Sequence, residues 1–181
     1  MSRLPRRIES PRLWLRQLEI TDAEPLHAEL QRSHAHLAPW LDWVRKDTPL
    51  VEREAFCRRV RGLYACERSL TVGLWRKRGE RLVGVMDARD IDWCIPSAEV
   101  GYWGAGESQG RGYLSEALRA LATCLIEELR FERLWLSCDA RNLASQRVAE
   151  RSGFELEGRL RRHRRDAAGR LGDTLLYARL R

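Results

Sequence analysis

The sequence predicts a single α/β (α+β) domain over residues 1–181, with a mixed central sheet of about seven strands and about four helices. Three observations lead there. Segments of helical and strand period follow one another with no linker between them, in a chain whose 181 residues suit one core. Residues 70–76 and 81–90 read as strands joined by Lys77-Arg78-Gly79-Glu80, a short polar connector suited to an antiparallel hairpin. A glycine-rich turn leads directly into a periodic helix and then into Leu134-Trp-Leu136, the pattern of a helical crossover to a buried parallel strand.

Each element follows from its residues. Residues 12–18 alternate as a first strand, and Thr21-Asp22 with Glu24-Pro25 caps a helix that runs to about Ser33. Residues 34–43, with two histidines and two tryptophans around a proline, read as a loop or broken helix. Val51, Ala55, Phe56, Val60, Leu63 and Tyr64 recur at helical spacing over residues 50–68. After the hairpin, Pro96-Ser97 turns the chain into a strand at 99–103. Leu114, Ala117, Leu118, Leu121, Leu125 and Leu129 then form one stripe of a helix reaching about Arg130. A last helix begins near residues 139–145 and stops at Gly153, and two strands, 154–160 and 174–179, flank a basic hairpin.

Composition narrows the function classes. No apolar run approaches the roughly 20 residues that span a bilayer, and no apolar stretch follows the basic start, so a soluble cytoplasmic protein without a membrane partner is expected. The five cysteines are scattered and never paired as Cys-x-x-Cys, which predicts reduced thiols and no zinc site. The net charge of +7 is almost wholly arginine and attracts polyanions, nucleic acid or a phosphorylated cofactor alike. Residues 159–165 are a dense basic run whose commonest meaning is a solvated face.

The densest signal is Gly101-Tyr-Trp-Gly-Ala-Gly-Glu-Ser-Gln-Gly-Arg-Gly-Tyr-Leu-Ser-Glu116. A strand end, a glycine turn and a helix start gather backbone N–H groups into an anion site. It is not a Walker loop, because Gly112 is followed by Tyr113 and Leu114, and no early strand-turn-helix unit makes it a dinucleotide fingerprint. The competing reading is a mere tight turn.

The element order and Gln109-Gly-Arg-Gly-Tyr-Leu114 resemble the GNAT superfamily of N-acetyltransferases and its acetyl-coenzyme A signature, through Gln109 and Gly112; Leu114 departs from the usual small residue. The segments 36–43, 97–103, 138–145 and 151–158 resemble the RimJ/RimL-like branch, which acetylates the N-termini of ribosomal proteins. The resemblance implies a splay between the fourth and fifth strands and direct acetyl transfer from acetyl-CoA to a primary amine, without an acyl-enzyme. It implies that Gly110, Arg111, Gly112, Tyr113 and Leu114 with Gln109 hold the pyrophosphate, that Tyr102 and Trp103 contribute backbone groups to the thioester site, and that Asn142 binds the pantetheine amides. No metal is implied.

Ser145, three residues beyond Asn142, is the candidate proton donor to the departing thiolate, with an ordinary first-turn serine as the alternative. Glu99 is the candidate general base, with a structural ion pair as the alternative. The basic stretch His163-Arg164-Arg165 stands where branch members often carry a glutamate. Cys138 is expected near the cofactor thiol but not as a nucleophile, and His36, Trp40 and Trp43 are the candidate acceptor pocket, or else plug one end of the core. The acceptor is a protein N-terminus or, alternatively, a small amine such as an aminoglycoside, polyamine or amino acid. A non-catalytic module binding coenzyme A or RNA is the rival from another class, and a homodimer is compatible with the chain.

Overall fold

The computed structural model describes residues 3–166 and 169–181. Eight strands form one sheet in the order β1-β2-β3-β4-β5-β6-β8-β7. The strands are β1 (Arg7–Glu9), β2 (Leu13–Gln17), β3 (Leu70–Arg76), β4 (Leu82–Asp92), β5 (Ser97–Gly104), β6 (Arg133–Asp139), β7 (Glu155–Arg165) and β8 (Leu171–Leu180). All neighbours are antiparallel except β5 and β6. That one parallel contact needs a crossover, supplied by α4 (Tyr113–Thr123), which a π-helical turn (Cys124–Glu128) continues.

The helices divide the core. Leu118, Leu121 and Leu125 from the long crossover pack with Ala149 of α5 (Leu143–Arg151) against Val72, Met86, Val100, Leu136 and Tyr177 of the sheet. On the other face, α1 (Ala23–Arg32) and α3 (Leu50–Ala65) bring Leu26, Leu30, Cys57 and Val60 against Leu82, Val85 and Trp103. Because side chains alternate along a strand, Ala98 and Val100 face α4 whereas Glu99, Gly101 and Trp103 face the α1–α3 side.

The structure extends the sequence reading at several places. An eighth strand, β1, pairs with β2, and the segment after α1 contains the short helix α2 (His34–Leu37), a broken helix as expected. The final hairpin is longer than 154–160 and 174–179 suggest, because ladder pairing continues to Arg164↔Gly172 and Arg165↔Leu171 through residues that carry no apolar alternation. Among the described residues, no helix is long and apolar enough to cross a membrane.

Candidate active site

The site begins where the sheet parts. β5 and β6 pair only at Ser97↔Arg133, Ala98↔Leu134 and Glu99↔Trp135. Beyond that point β5 stays with β4 as far as Gly104↔Gly84, and β6 stays with β8 as far as Asp139↔Thr174. The facing edges of β5 from Val100 and of β6 from Leu136 therefore have no ladder partner in each other. This is the expected splay.

At the end of β5 the chain makes a 3-10 turn (Gly106–Ser108) and enters the glycine loop. Gly110 and Gly112 have φ of 70° and 74°, a left-handed conformation that side chains resist, and Gly112 is the N-cap of α4. The first backbone bond into the helix is Glu116 N–H to Gly112 O. The N–H groups of Gly112, Tyr113, Leu114 and Ser115 have no protein acceptor among the described residues, and the helix dipole adds to their positive potential.

Arg12 and Glu116 fix this loop. Buried Glu116 accepts hydrogen bonds from Ser10 Oγ (2.7 Å), Arg12 N (2.7 Å) and Arg12 Nε (2.6 Å). Burial alone would raise the Glu116 pKa, but these donors outweigh it and hold the carboxyl below its ordinary value. The other arm of Arg12 donates to Arg111 O at 3.0 Å, and its guanidinium stacks on the Tyr113 ring at 4.6 Å. Gln109 and Arg111 are exposed, while Leu114 packs its side chain on Gly104, where an added Cβ would meet Leu114 Cδ1 at 3.0 Å.

Across the opening stands α5. Asn142 caps it, its side-chain oxygen accepting Ser145 N–H at 3.0 Å, which leaves the Asn142 amide NH2 as a donor. Ser145 Oγ lies 3.0 Å from the Tyr102 hydroxyl, which also donates to Ser145 O at 3.1 Å. Burial raises the Tyr102 pKa, so the phenol keeps its proton. Burial likewise pushes the Cys138 thiol up to about 11 against an opposing hydrogen bond with Ser145. Three protonated groups, Tyr102, Ser145 and Cys138, thus meet on the α5 side of the opening.

The other side carries carboxylates. Glu99 is clamped by Arg89, Nη2 to Oε1 at 2.7 Å and Nε to Oε2 at 3.3 Å. The same guanidinium reaches Asp87 Oδ1 at 3.1 Å, and that oxygen also accepts the Gly101 N–H at 3.0 Å. Burial pushes Asp87 up to about 6 despite the pull of Arg89 and of the Gly101 hydrogen bond. Glycine at 101 leaves the room this cluster occupies, since a Cβ would stand 2.3 Å from Arg89 Nη1 and 2.8 Å from Asp87 Oδ1.

His36 sits beside Gly106, at the loop end of β5, and burial lowers its pKa. Trp40 and Trp43 are 39% and 45% exposed, and Trp103 is buried against the α1–α3 side. Sequence reasoning missed Asp87, Arg89, Arg12 and the Tyr102 phenol. The Asp-Ala-Arg spacing in β4 was the one local signal for the first two, since it sets both side chains on one face. Among the described residues no group of His, Cys, Asp and Glu could hold a metal ion.

A splayed β5–β6 pair followed by a glycine loop on a helix N-terminus defines an acyltransferase architecture, and residues 12–155 match the family described as Acetyltransferase (GNAT) domain. The chain belongs to the GNAT acetyltransferases, in the branch related to RimL. YdaF of Bacillus subtilis (strain 168), named provisionally as a ribosomal N-acetyltransferase, is 32% identical over 148 residues, covering 81% of this chain and 80% of that protein. The ribosomal-protein-serine acetyltransferase of Escherichia coli (strain K12) is 36% identical over 103 residues, 56% of each chain. Among solved structures, RimL, the ribosomal L7/L12 alpha-N-protein acetyltransferase, in complex with coenzyme A held as a disulfide to a cysteine of that protein, superposes with a TM-score of 0.89 at 27% identity, covering 96% of this chain and 97% of the other.

Proposed function

We propose that the protein transfers the acetyl group of acetyl-CoA to a primary amine, and that its acceptor is the N-terminal α-amino group of a protein of the ribosomal kind. The observation that carries this is the opening between β5 and β6, with protonated donors on one side and carboxylates on the other. The pantetheine arm pairs with the open edges as an added strand. The pyrophosphate lies on the N–H groups of the turn 109–114, and the Asn142 NH2 donates to a pantetheine amide. A backbone N–H at Tyr102 or Trp103 receives the developing oxyanion.

Ser145, hydrogen-bonded to Tyr102, gives a proton to the departing thiolate and regains it from solvent. The proton of the amine leaves on the carboxylate side, where Glu99 and Asp87 share the Arg89 guanidinium. Cys138 does not form an acyl-enzyme, because a thiol pushed up to about 11 offers almost no thiolate at neutral pH. An α-amino acceptor suits this modest base, since its pKa of about 8 leaves roughly a tenth neutral at pH 7, against almost none for lysine near 10.4. RimL-type relatives named for ribosomal proteins support the acceptor class.

The test is release of free thiol from acetyl-CoA across peptides with varied first residues, alongside polyamines, aminoglycosides and amino acids. Turnover of α-amino peptides at least tenfold above the small amines is expected. Preference for a small amine would overturn the acceptor, and silence with every amine would overturn the reaction.

A further inference from the structure

Between α3 and the sheet lies a cavity of about 240 Å³. Phe56, Val60 and Leu63 of α3 make an apolar roof, and Thr71, Asp87 and Arg89 of β3 and β4 make a polar floor. The floor continues across the sheet in one row, because Thr71 pairs with Asp87 and Asp87 pairs with Gly101. Gly101 is two residues beyond Glu99, the last residue of β5 that pairs with β6. The missing side chain at Gly101 lets the Asp87 carboxylate and Arg89 guanidinium lie directly on the β5 backbone. Two residues of the cavity floor, Asp87 and Arg89, therefore touch β5 where the opening begins, on the face opposite Tyr102 and Ser145.

The two carboxylates of this face are not equivalent. Both oxygens of Glu99 are occupied by Arg89. Asp87 spends only Oδ1, on Arg89 and on the Gly101 N–H, and its Oδ2 has no hydrogen-bond partner among the described residues. The Asp87 side chain is 28% exposed and that of Glu99 12%. The charges around Asp87 are Arg89 on its own strand, Glu99 on β5 beyond Arg89, Arg59 on α3, and Arg68 with Asp90 elsewhere on the cavity wall. An apolar roof over a half-free carboxylate fits an aliphatic or peptide group that carries an amine.

We infer that this cavity is the port by which the acceptor amine reaches the opening, and that Asp87 Oδ2 takes the proton the amine gives up, with Glu99 as a positioning residue acting through Arg89. The inference rests on the acetyl-transfer reading. The neutral amine nitrogen attacks the thioester carbon, forming the C–N bond as the carbonyl pair moves onto oxygen. Asp87 removes the N–H proton, the oxyanion collapses, and the C–S bond breaks. The thiolate receives a proton from Ser145, which regains one from solvent, while Asp87 returns its own to solvent. The sum is amine plus thioester giving amide plus thiol. Because burial pushes Asp87 up to about 6, it is ionised at neutral pH yet basic enough to accept.

The experiment is kcat/KM for an α-amino peptide between pH 5 and 9, on the full chain and three variants. Two ionisations act on the wild type, the amine near about 8 and a group near 6, so log kcat/KM should fall with slope two below pH 6. Asp87→Asn should lose about a hundredfold at pH 7 and show slope one at every pH below about 8, whereas Glu99→Gln should keep slope two below about pH 6. Leu63→Trp, which fills the roof, should raise KM for peptide at least fivefold and leave KM for acetyl-CoA within twofold. Thermal melting separates chemistry from folding. A carboxyl whose folded pKa is raised loses stability as pH rises from its ordinary value through the folded one, so Asp87→Asn should melt no lower than wild type at pH 7.5. Slope two retained in Asp87→Asn, slope two lost only in Glu99→Gln, or an unchanged peptide KM in Leu63→Trp would overturn the inference while leaving acetyl transfer standing. A wild type inactive on every amine would remove both together.

Discussion

Gly101→Ala is the substitution in which packing and chemistry should separate. The new Cβ would stand 2.3 Å from Arg89 Nη1 and 2.8 Å from Asp87 Oδ1, where ordinary contacts begin near 3.4 Å. Both atoms are ends of side chains, so the β5 backbone need not move. The guanidinium must swing away, weakening its bonds to Glu99 (2.7 Å) and Asp87 (3.1 Å). Overpacking costs about 1–3 kcal/mol when backbone is displaced, and the lower end applies where a half-exposed arginine can yield. For a domain of this size about 1 kcal/mol corresponds to roughly 2–4 °C in Tm. The carboxylates lose their placement against the opening, so kcat should fall at least tenfold. Affinity for acetyl-CoA, set mainly by the glycine loop, should stay within twofold. Melting by circular dichroism, calorimetric titration with coenzyme A and thiol release measure the three quantities. A folded Gly101→Ala protein with wild-type turnover would refute the reasoning, since the Asp87–Arg89–Glu99 cluster would then have no bearing on the reaction.

Other perturbations read other parts of the site. Ser145→Ala should lower kcat by about ten- to a hundredfold with little change in coenzyme A affinity, and equal kcat at saturation would remove Ser145 from proton donation. Gly112→Ala places a side chain at φ 74°, a cost of about 1 kcal/mol or more, and should weaken coenzyme A binding roughly five- to tenfold by titration; unchanged binding would mean the turn does not hold the phosphates. Reaction of Cys138 with oxidised coenzyme A, followed by intact mass, should accelerate about tenfold per pH unit from 7 to 10, because its thiol is pushed up to about 11. A rate flat in pH would show a thiol activated by its surroundings. Glu116 has a lowered folded pKa, so its contribution is complete above its ordinary value of 4.5 and is lost as pH falls through the folded one. Glu116→Gln should therefore flatten the acid limb of the unfolding free energy below pH 5, and an unaltered limb would contradict the bonding to Ser10 and Arg12.

The sequence made most of the sheet legible because its buried strands and the stripe from Leu114 to Leu129 repeat at the periods their structures impose. β1 escaped because three residues, Arg-Ile-Glu, are too few to show alternation. The outer half of β7 escaped because an almost wholly basic strand has no apolar face, and its length is set by pairing with β8. The placement of the glycine loop at the start of α4, and of Asn142 and Ser145 at the start of α5, was legible because it depends on local spacing. Asp87 could not. Its character comes from the β4–β5 register that sets it beside Gly101 and from burial beneath α3, and both are long-range consequences of folding. The Tyr102 phenol is a similar case, since it acquires its partner only when α5 closes over the opening.

The parting of β5 from β6 also gives one strand two solvents. From Val100 to Gly104, β5 keeps β4 on one side and has lost β6 on the other. Successive backbone amides of a strand point alternately to its two neighbours, so those aimed at β4 are locked into a ladder while those between them face the gap. Hydrogen exchange along these five residues should accordingly rise and fall with a period of two, slow amides recording the stability of the whole domain and fast ones only local fluctuation at the seam. A single strand then reports, residue by residue, how firmly the two parts of the sheet are held together.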